Sequence, residues 1–270
     1  MVLRHLAPRG FFLCQGSARM EGNRRILSDI VASIREDAEI REVGLGRLFS
    51  CVVSKFVGLS STLGGCEEER ERQMRYKAAT ALELSSLAFS EDTFEASLGL
   101  SAIKSLIEVD EAGLFDINAS LLITKIGRDR RVTIIGHFPF VEKLKGMAKG
   151  LWVIERRPKE GDYPEEMMEE SLPSSDLVCI SGTTLINHTL ERVLSLCRRD
   201  AFKILLGPST PLSSVLFDYG IDVLSGILVT SEGRLLSLVR EGANFRRIKR
   251  EGVVRLVSLA KDRSALWRAL

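Results

Sequence analysis

The amino-acid sequence predicts an α/β protein in which a doubly wound parallel sheet follows a smaller α+β unit. The first observation is that, beyond residue 118, short apolar runs rich in β-branched residues alternate with helical stretches. This alternation is typical of a parallel sheet with helices on both faces. The second is that residues 40–63 contain short apolar pieces separated by glycines, which indicates antiparallel strands joined by tight turns. We therefore expect an α+β domain over residues 20–117 and an α/β domain over residues 118–270.

Each predicted element rests on the spacing of its apolar residues. Helical spacing predicts a first helix over residues 23–34, and helices over 77–89 and 96–108 follow the antiparallel strands. The charge run at residues 67–75 is expected to be solvated. In the C-terminal half we expect a linking helix at 118–127, strands at 131–135, 151–154, 177–180, 203–206 and 221–229, and helices at 141–148, 189–198 and 212–219.

Composition and charge exclude several classes of protein. The 270 residues are 45% apolar and 27% charged, and no apolar run reaches the roughly 18–20 residues of a membrane helix. The chain has 38 Lys and Arg residues and 36 Asp and Glu residues, so it lacks the excess of basic residues that is typical of a nucleic-acid-binding protein. The five cysteines are scattered without a CxxC pair, which argues against a zinc ribbon or a disulfide framework. We expect a cytoplasmic protein without membrane or nucleic-acid partners, and we take Met20 as an alternative translation start.

Candidate ligand-binding residues follow the predicted strands of the parallel sheet. Ligands bind outside the carboxyl ends of such strands, and those ends share one edge of the sheet. Glycine, proline or small polar residues follow four of the five strands. The candidates are Gly136 and Phe138 after the first strand, Gly182, Thr183, Thr184 and Asn187 after the third, and Gly207, Pro208, Ser209 and Thr210 after the fourth.

Two of these segments are expected to open helices. Thr210 before Pro211 fits an N-cap followed by proline at the first helical position. The segment at residues 182–184 offers a hydroxyl-lined turn into another helix. Together, two helix N-termini at one edge would bind a carboxylate or a phosphate. Either motif alone is more often an ordinary cap.

Three further side chains are candidate metal ligands: His137, Glu155 and Asp162. His137 follows the first strand beside a glycine that lets the backbone approach a ligand closely. Its position is compatible with a metal ligand, a general acid or base, or a capping side chain. Imidazole and carboxylate groups suit borderline or hard divalent ions, although the three residues lack the close spacing of a zinc motif. Ordinary NAD or FAD binding is disfavoured, because bulky residues replace the glycine fingerprint beside His137.

These segments resemble those of the putative heavy-metal-chelation domain family, a group of prokaryotic proteins of unknown function. The segments that carry the resemblance are IIGHFP at 134–139, ER at 155–156, GD at 161–162, SGTTLINHTL at 181–190 and GPSTPL at 207–212. The resemblance implies a Rossmann-like second domain after a first domain similar to the N-terminal domain of enolases. It also implies heavy-metal or metal-cofactor chelation at the cleft between the two domains.

Three functions are consistent with these observations. The favoured one is binding of a divalent or heavy metal ion, or of a metal cofactor, by His137, Glu155 and Asp162. The alternative is an enzyme that acts on an anionic small molecule of nucleotide-like or tetrapyrrole type, held near Thr183 and Ser209 with His137 as acid or base. A non-catalytic role in assembly is the third. Whether the protein is an enzyme is left open, and a homodimer is expected only from the habit of the fold.

Overall fold

The computed structural model describes residues 24–64, 80–264 and 266. In the N-terminal half the elements are α1 (Arg25–Ala32), β1 (Glu42–Leu45), β2 (Phe49–Val53), β3 (Val57–Ser61), α2 (Ala81–Ser85) and α3 (Thr93–Leu106). In the C-terminal half they are α4 (Ala119–Ile126), β4 (Arg131–Ile135), α5 (Val141–Leu144), β5 (Gly150–Ile154), α6 (Met168–Ser171), β6 (Leu177–Ser181), α7 (Leu190–Leu196), β7 (Phe202–Leu206), α8 (Val215–Asp218), β8 (Val223–Val229), α9 (Glu232–Arg240), α10 (Phe245–Arg250) and β9 (Val254–Ala260). Met20 and the charge run at residues 67–75 lie outside the described residues.

Two separate sheets organise the chain. β1, β2 and β3 form an antiparallel sheet in that order. The second sheet has the order β5-β4-β6-β7-β8-β9, in which β4 to β8 run parallel and β9 pairs antiparallel with β8. The chain leaves β4 towards β5 and then crosses to β6 on the other side, so the switch point where ligands bind lies at β4. The predicted α/β fold class is confirmed.

Apolar cores cover both faces of the six-stranded sheet. Successive side chains of a strand point to opposite faces, so Ile135 and Ile180 belong to one core while Ile134 and Cys179 belong to the other. Residues of α7 and α8 pack on the first face, and residues of α4 and α5 pack on the second. Burying one side chain of this size contributes roughly 1.5–3 kcal/mol. The two cores are therefore the main source of stability in the C-terminal half.

The small sheet is covered by helices from both halves of the chain. On one face α3 approaches so closely that a Cβ on Gly58 would lie 1.9 Å from the carbonyl oxygen of Ser101, which only glycine permits. On the other face Leu236 and Val239 of α9 share a core with Phe49 of β2. The elements predicted from the sequence end at residue 229, so the cover by α9 was not predicted.

Conversely, α1 belongs to the N-terminal half of the chain but packs on the C-terminal half. Ile26 and Ile30 are fully buried in a core formed mainly by the six-stranded sheet and its helices. The backbone N–H of Ile26 donates to Oε1 of Glu191 at 3.0 Å, and the Tyr219 hydroxyl donates to Asp29. The two halves are thus interlocked through α1 and α9. The domain limits at residues 117 and 118 stay a prediction.

Several predicted helices are shorter in the structure. The helix expected over 141–148 is a single turn, Val141–Leu144, and Gly146 with a φ of +77° follows it. The helix expected over 212–219 begins only at Val215. Among the described residues, no helix is both long enough and apolar enough to span a membrane.

Candidate functional site

The carboxyl edge of the six-stranded sheet carries a polar cavity at the ends of β4, β5 and β6. Its volume is about 70 Å³, and it lies at the switch point of the sheet. Four of the predicted ligand-binding residues line it: Gly136, Thr183, Thr184 and Asn187. The predicted metal ligand Glu155 lines it as well. Parallel strands bring these residues together although they are up to 51 positions apart in the chain.

The hydroxyl-rich turn after β6 is a single 3-10 turn that caps itself. The Ser181 hydroxyl accepts from the backbone N–H of Thr183 at 3.3 Å and lies 2.8 Å from its Oγ1. Thr184 Oγ1 donates to the carbonyl oxygen of Ser181 at 2.7 Å. The turn covers Gly182–Thr184, and α7 begins only at Leu190. Each of these side-chain hydroxyls therefore already has a partner within the turn.

The expectation that Thr210 caps a helix is wrong. The chain from Gly207 to Ser214 contains no helix, and the buried Thr210 hydroxyl has no hydrogen-bond partner. The segment is fastened to the N-terminal half instead, because the Ser209 hydroxyl accepts from the backbone N–H of Ser61 at 2.9 Å. A proline also disfavours helical backbone angles at the residue before it. In this segment Pro208 has that effect on Gly207, and Pro211 has it on Thr210. The edge therefore lacks the predicted pair of helix N-termini.

The structure brings His137, Asp162 and Glu155 together beside the polar cavity. Gly136 has a φ of +103°, which glycine adopts readily, and turns the chain sharply as it leaves β4. His137 Nδ1 lies 3.0 Å from both carboxylate oxygens of Asp162. Oε2 of Glu155 accepts from the backbone N–H of His137 at 3.1 Å. The loops that follow β4 and β5 are thus joined at His137, by Asp162 through the imidazole and by Glu155 through the backbone N–H.

The two carboxylates serve mainly to hold this loop arrangement. Asp162 is 3% exposed and also accepts from the backbone N–H of Lys159 at 3.1 Å. The second oxygen of Glu155 accepts from the backbone N–H of Arg156 at 2.8 Å. Among the described residues, no group of three or more His, Cys, Asp or Glu side chains is arranged to hold a metal ion. The assignment of all three predicted residues as ligands stays a prediction.

The imidazole itself remains available on one side. The His137 side chain is 29% exposed, and its Nε2 has no hydrogen-bond partner within the described part of the chain. A carboxylate on Nδ1 fixes the tautomer in which Nδ1 carries the proton and Nε2 carries a lone pair. The site can therefore offer one oriented nitrogen donor to a metal ion or to a proton. His188, by contrast, bonds through Nε2 to the carbonyl oxygen of Ala88 at 2.8 Å.

Four of the remaining predicted ligand-binding residues line other cavities, whereas Gly182 and Ser209 do not line them. Phe138 stacks on Phe140 with ring centroids 5.2 Å apart, and it shares an apolar cavity of about 310 Å³ with Gly207 and Pro208. Thr210 lines a cavity of about 280 Å³ between the two halves. Ser209 lies between these segments as a contact to the N-terminal half.

The walls of the cavities between the halves include charged residues that are not among the predicted site residues. Lys104 of α3 lines the 280 Å³ cavity together with Arg41 and Lys55. Lys55 also lines a neighbouring groove of about 840 Å³. None of the three predicted metal ligands lines either cavity. The sequence around Lys104 has an ordinary helical pattern and does not mark this lysine as a site residue. Its surroundings in the fold come from distant parts of the chain.

The fold and this edge define a two-unit α/β protein with one oriented imidazole at the switch point of a doubly wound sheet. Residues 118–258 match the model of the DUF364 family and residues 28–107 match that of DUF4213, and both are described as "Putative heavy-metal chelation". The first match covers more than half of the chain. The chain therefore belongs to the DUF364 family.

Similar proteins agree with this assignment. An uncharacterised protein of Methanocaldococcus jannaschii is 33% identical over 143 residues, which are 50% of this chain and 54% of that protein. The matched part thus spans about half the length of this curated relative. A crystal structure of a DUF364 protein of unknown function from Desulfitobacterium hafniense is 27% identical, covers 88% of this chain and 99% of its own, and has a TM-score of 0.80. A family structure from Pyrococcus horikoshii, at 22% identity, covers 87% and 98% with a TM-score of 0.73 and shows the same fold.

Proposed function

We propose that this protein binds a divalent metal ion as a complex with a small chelating molecule, and that Nε2 of His137 is the ligand that the protein contributes. The observation that carries the proposal is the pairing of His137 Nδ1 with the buried carboxylate of Asp162 at 3.0 Å. Histidines that bind metals almost always donate their other ring N–H to such a partner. The family description as heavy-metal chelation agrees with a metal-related role.

A small chelator is part of the proposal because one imidazole is a weak site by itself. Structural metal sites use about four protein ligands, and catalytic sites commonly use three. Among the described residues no such group is present. The missing donors would come from the molecule that carries the ion. The adjacent 70 Å³ cavity, with Thr183 and Asn187 in its wall, offers polar contacts to one end of that molecule.

The proposed location is the carboxyl edge of the sheet and not the cavities between the halves. His137, Glu155 and Asp162 all belong to the C-terminal half, and the cavities between the halves are lined by other residues. The acid or base role predicted for His137 would use the same nitrogen. Metal binding and proton transfer at Nε2 therefore exclude each other.

The test is a titration of protein without a histidine tag with Ni²⁺–nitrilotriacetate, a complex that keeps coordination positions open. We expect saturable binding by the wild type and at least a tenfold lower affinity in His137→Ala. His188→Asn is the matched control, because His188 is bonded to the backbone and has a φ of +55°, which asparagine tolerates. A His5→Ala variant covers the remaining histidine. Equal binding by His137→Ala and the wild type would refute the proposal.

A further inference from the structure

The cavity of about 280 Å³ between the two halves contains a lysine with unusual surroundings. Its wall includes Val57 and Lys104 from the N-terminal half and Thr210 and Leu212 from the C-terminal half. Lys104 lies near the end of α3, and its side chain reaches across to the C-terminal half. This site is separate from His137 and is independent of the proposed metal-binding function.

Two backbone carbonyl oxygens hold the amino group of Lys104 in place. Nζ donates to the carbonyl oxygen of Leu59 at 2.5 Å and to that of Pro208. A neutral amine has two N–H groups, so these two acceptors use both of them and leave the nitrogen lone pair free. An ammonium group would have a third N–H, for which the described residues show no acceptor. In the neutral form, the Nζ lone pair is therefore not used by any hydrogen bond among the described residues.

The desolvation of Lys104 favours this neutral form. Burial disfavours the charged form and lowers the pKa of Lys104 from 10.5 to about 7, and no carboxylate opposes this shift. The titratable and charged groups that face the cavity or lie beneath it are Arg41, Lys55, Glu111, Glu232 and the thiol of Cys51. Burial raises the pKa of the Cys51 thiol to about 12, so it stays neutral near pH 7. Lysines desolvated in this way act as nucleophiles towards carbonyl compounds.

The same cavity has donors for an anionic group. Arg41 lines it and uses three of its five N–H donors, one to the carbonyl oxygen of Ser54 and two to the Glu232 carboxylate at 3.0 and 3.1 Å. Lys55 lines it as well, and its ammonium is shared between two exposed glutamates. Both cations therefore retain donors for a further acceptor. A carboxylate next to a reactive carbonyl would accept from these remaining donors while the carbonyl meets the amine.

We propose that Lys104 forms an imine with a small aldehyde or ketone that carries a carboxylate, a compound of the 2-oxo acid class. The lone pair of Nζ attacks the carbonyl carbon, a C–N bond forms, and the carbonyl π electrons move to the oxygen. The oxygen takes up the proton lost from nitrogen and a second proton from solvent. It leaves as water when the C=N bond forms, and the nitrogen keeps its remaining proton, so the product is a protonated imine. No oxidant or reductant takes part in this step.

The test uses the wild-type protein with limiting glyoxylate and sodium cyanoborohydride, which reduces an imine to a stable amine. Modified peptides are mapped by mass spectrometry over time at pH 7. We expect the Lys104 peptide to be labelled at least ten times faster than the peptides with the exposed Lys143 and Lys249, because ordinary lysine amines are almost wholly protonated at this pH. Labelling of Lys104 should fall about tenfold between pH 8 and pH 6, which follows from a pKa of about 7.

Two further experiments distinguish the reactivity of the Lys104 amine from an effect of solvent exposure alone. In protein unfolded in urea, Lys104 should lose its advantage over Lys143 and Lys249, because the advantage arises from the folded cavity. Acetaldehyde, a neutral aldehyde of similar size, should label Lys104 more slowly than glyoxylate does. Equal labelling of the three lysines in the folded wild type would overturn the proposal. Because every arm uses the wild type, the result does not depend on whether a Lys104 variant folds.

Discussion

The contact between the turns after β6 and β7 predicts that Gly182→Ala destabilises the protein. A Cβ on Gly182 would lie 2.6 Å from the backbone nitrogen of Thr210 and 2.8 Å from the carbonyl carbon of Ser209. An ordinary contact begins near 3.4 Å, so the two segments would have to separate by about 0.8 Å. Ser209 accepts from Ser61 and Pro208 accepts from Lys104, which holds the second segment in place. Overpacking of this kind costs about 1–3 kcal/mol.

The assay is urea unfolding at 25 °C followed by circular dichroism. Gly233→Ala is the matched control, since Gly233 lies in α9 and a Cβ there meets nothing within 4 Å. Alanine is the better helix former, so this control should gain roughly 0.5–1 kcal/mol of unfolding free energy. If Gly182→Ala were as stable as the wild type, the close contact at the sheet edge would be refuted.

Three further substitutions test separate parts of the account. Asp162→Asn should weaken binding of Ni²⁺–nitrilotriacetate by roughly 10–100-fold, because the carboxylate orients the imidazole, and unchanged affinity would argue against that role. Burial lowers the pKa of Lys104 from 10.5 to about 7, so between these pH values the unfolded chain binds more protons than the folded one. The unfolding free energy of the wild type should therefore rise with pH relative to Lys104→Met, by up to about 1.4 kcal/mol per pH unit, and parallel pH curves would contradict this. Burial raises the pKa of Glu191, so its charged form costs stability above its folded pKa. Glu191→Gln should accordingly unfold at higher urea concentration than the wild type at pH 7 and at the same concentration near pH 4; a gain that persists at pH 4 would rule out this explanation.

The parallel sheet could be predicted from the sequence because the residue pattern of its strands matches the surroundings that the strands have in the fold. The strand expected over residues 131–135 is observed as Arg131–Ile135, where a β-branched run ends at a glycine with positive φ. The proximity of His137, Glu155 and Asp162 follows from the rule that parallel strands end at one edge. The hydrogen bonds of these three residues could not be predicted, because spacing alone does not show whether a carboxylate faces a metal ion or a backbone N–H.

Other features depended on contacts between distant residues. Thr210 before Pro211 has the same local signal in a helix cap and in an extended segment. The segment is fastened to Ser61 and Lys104, which lie more than 100 positions earlier in the chain. The cover of the small sheet by α9 is likewise a contact across about 190 positions, between Gly44 and Leu236. No pattern within either segment encodes such a partner.

The most direct test of the proposed function is the metal content of the protein as cells produce it. The protein is purified without a histidine tag, chelators or metal-loaded resin, and its elements are measured by mass spectrometry together with His137→Ala and His188→Asn. We expect one dominant metal near one equivalent in the wild type and in His188→Asn, and its loss in His137→Ala. The same metal content in all three proteins, or none in the wild type, would contradict the assignment of His137 as the metal ligand.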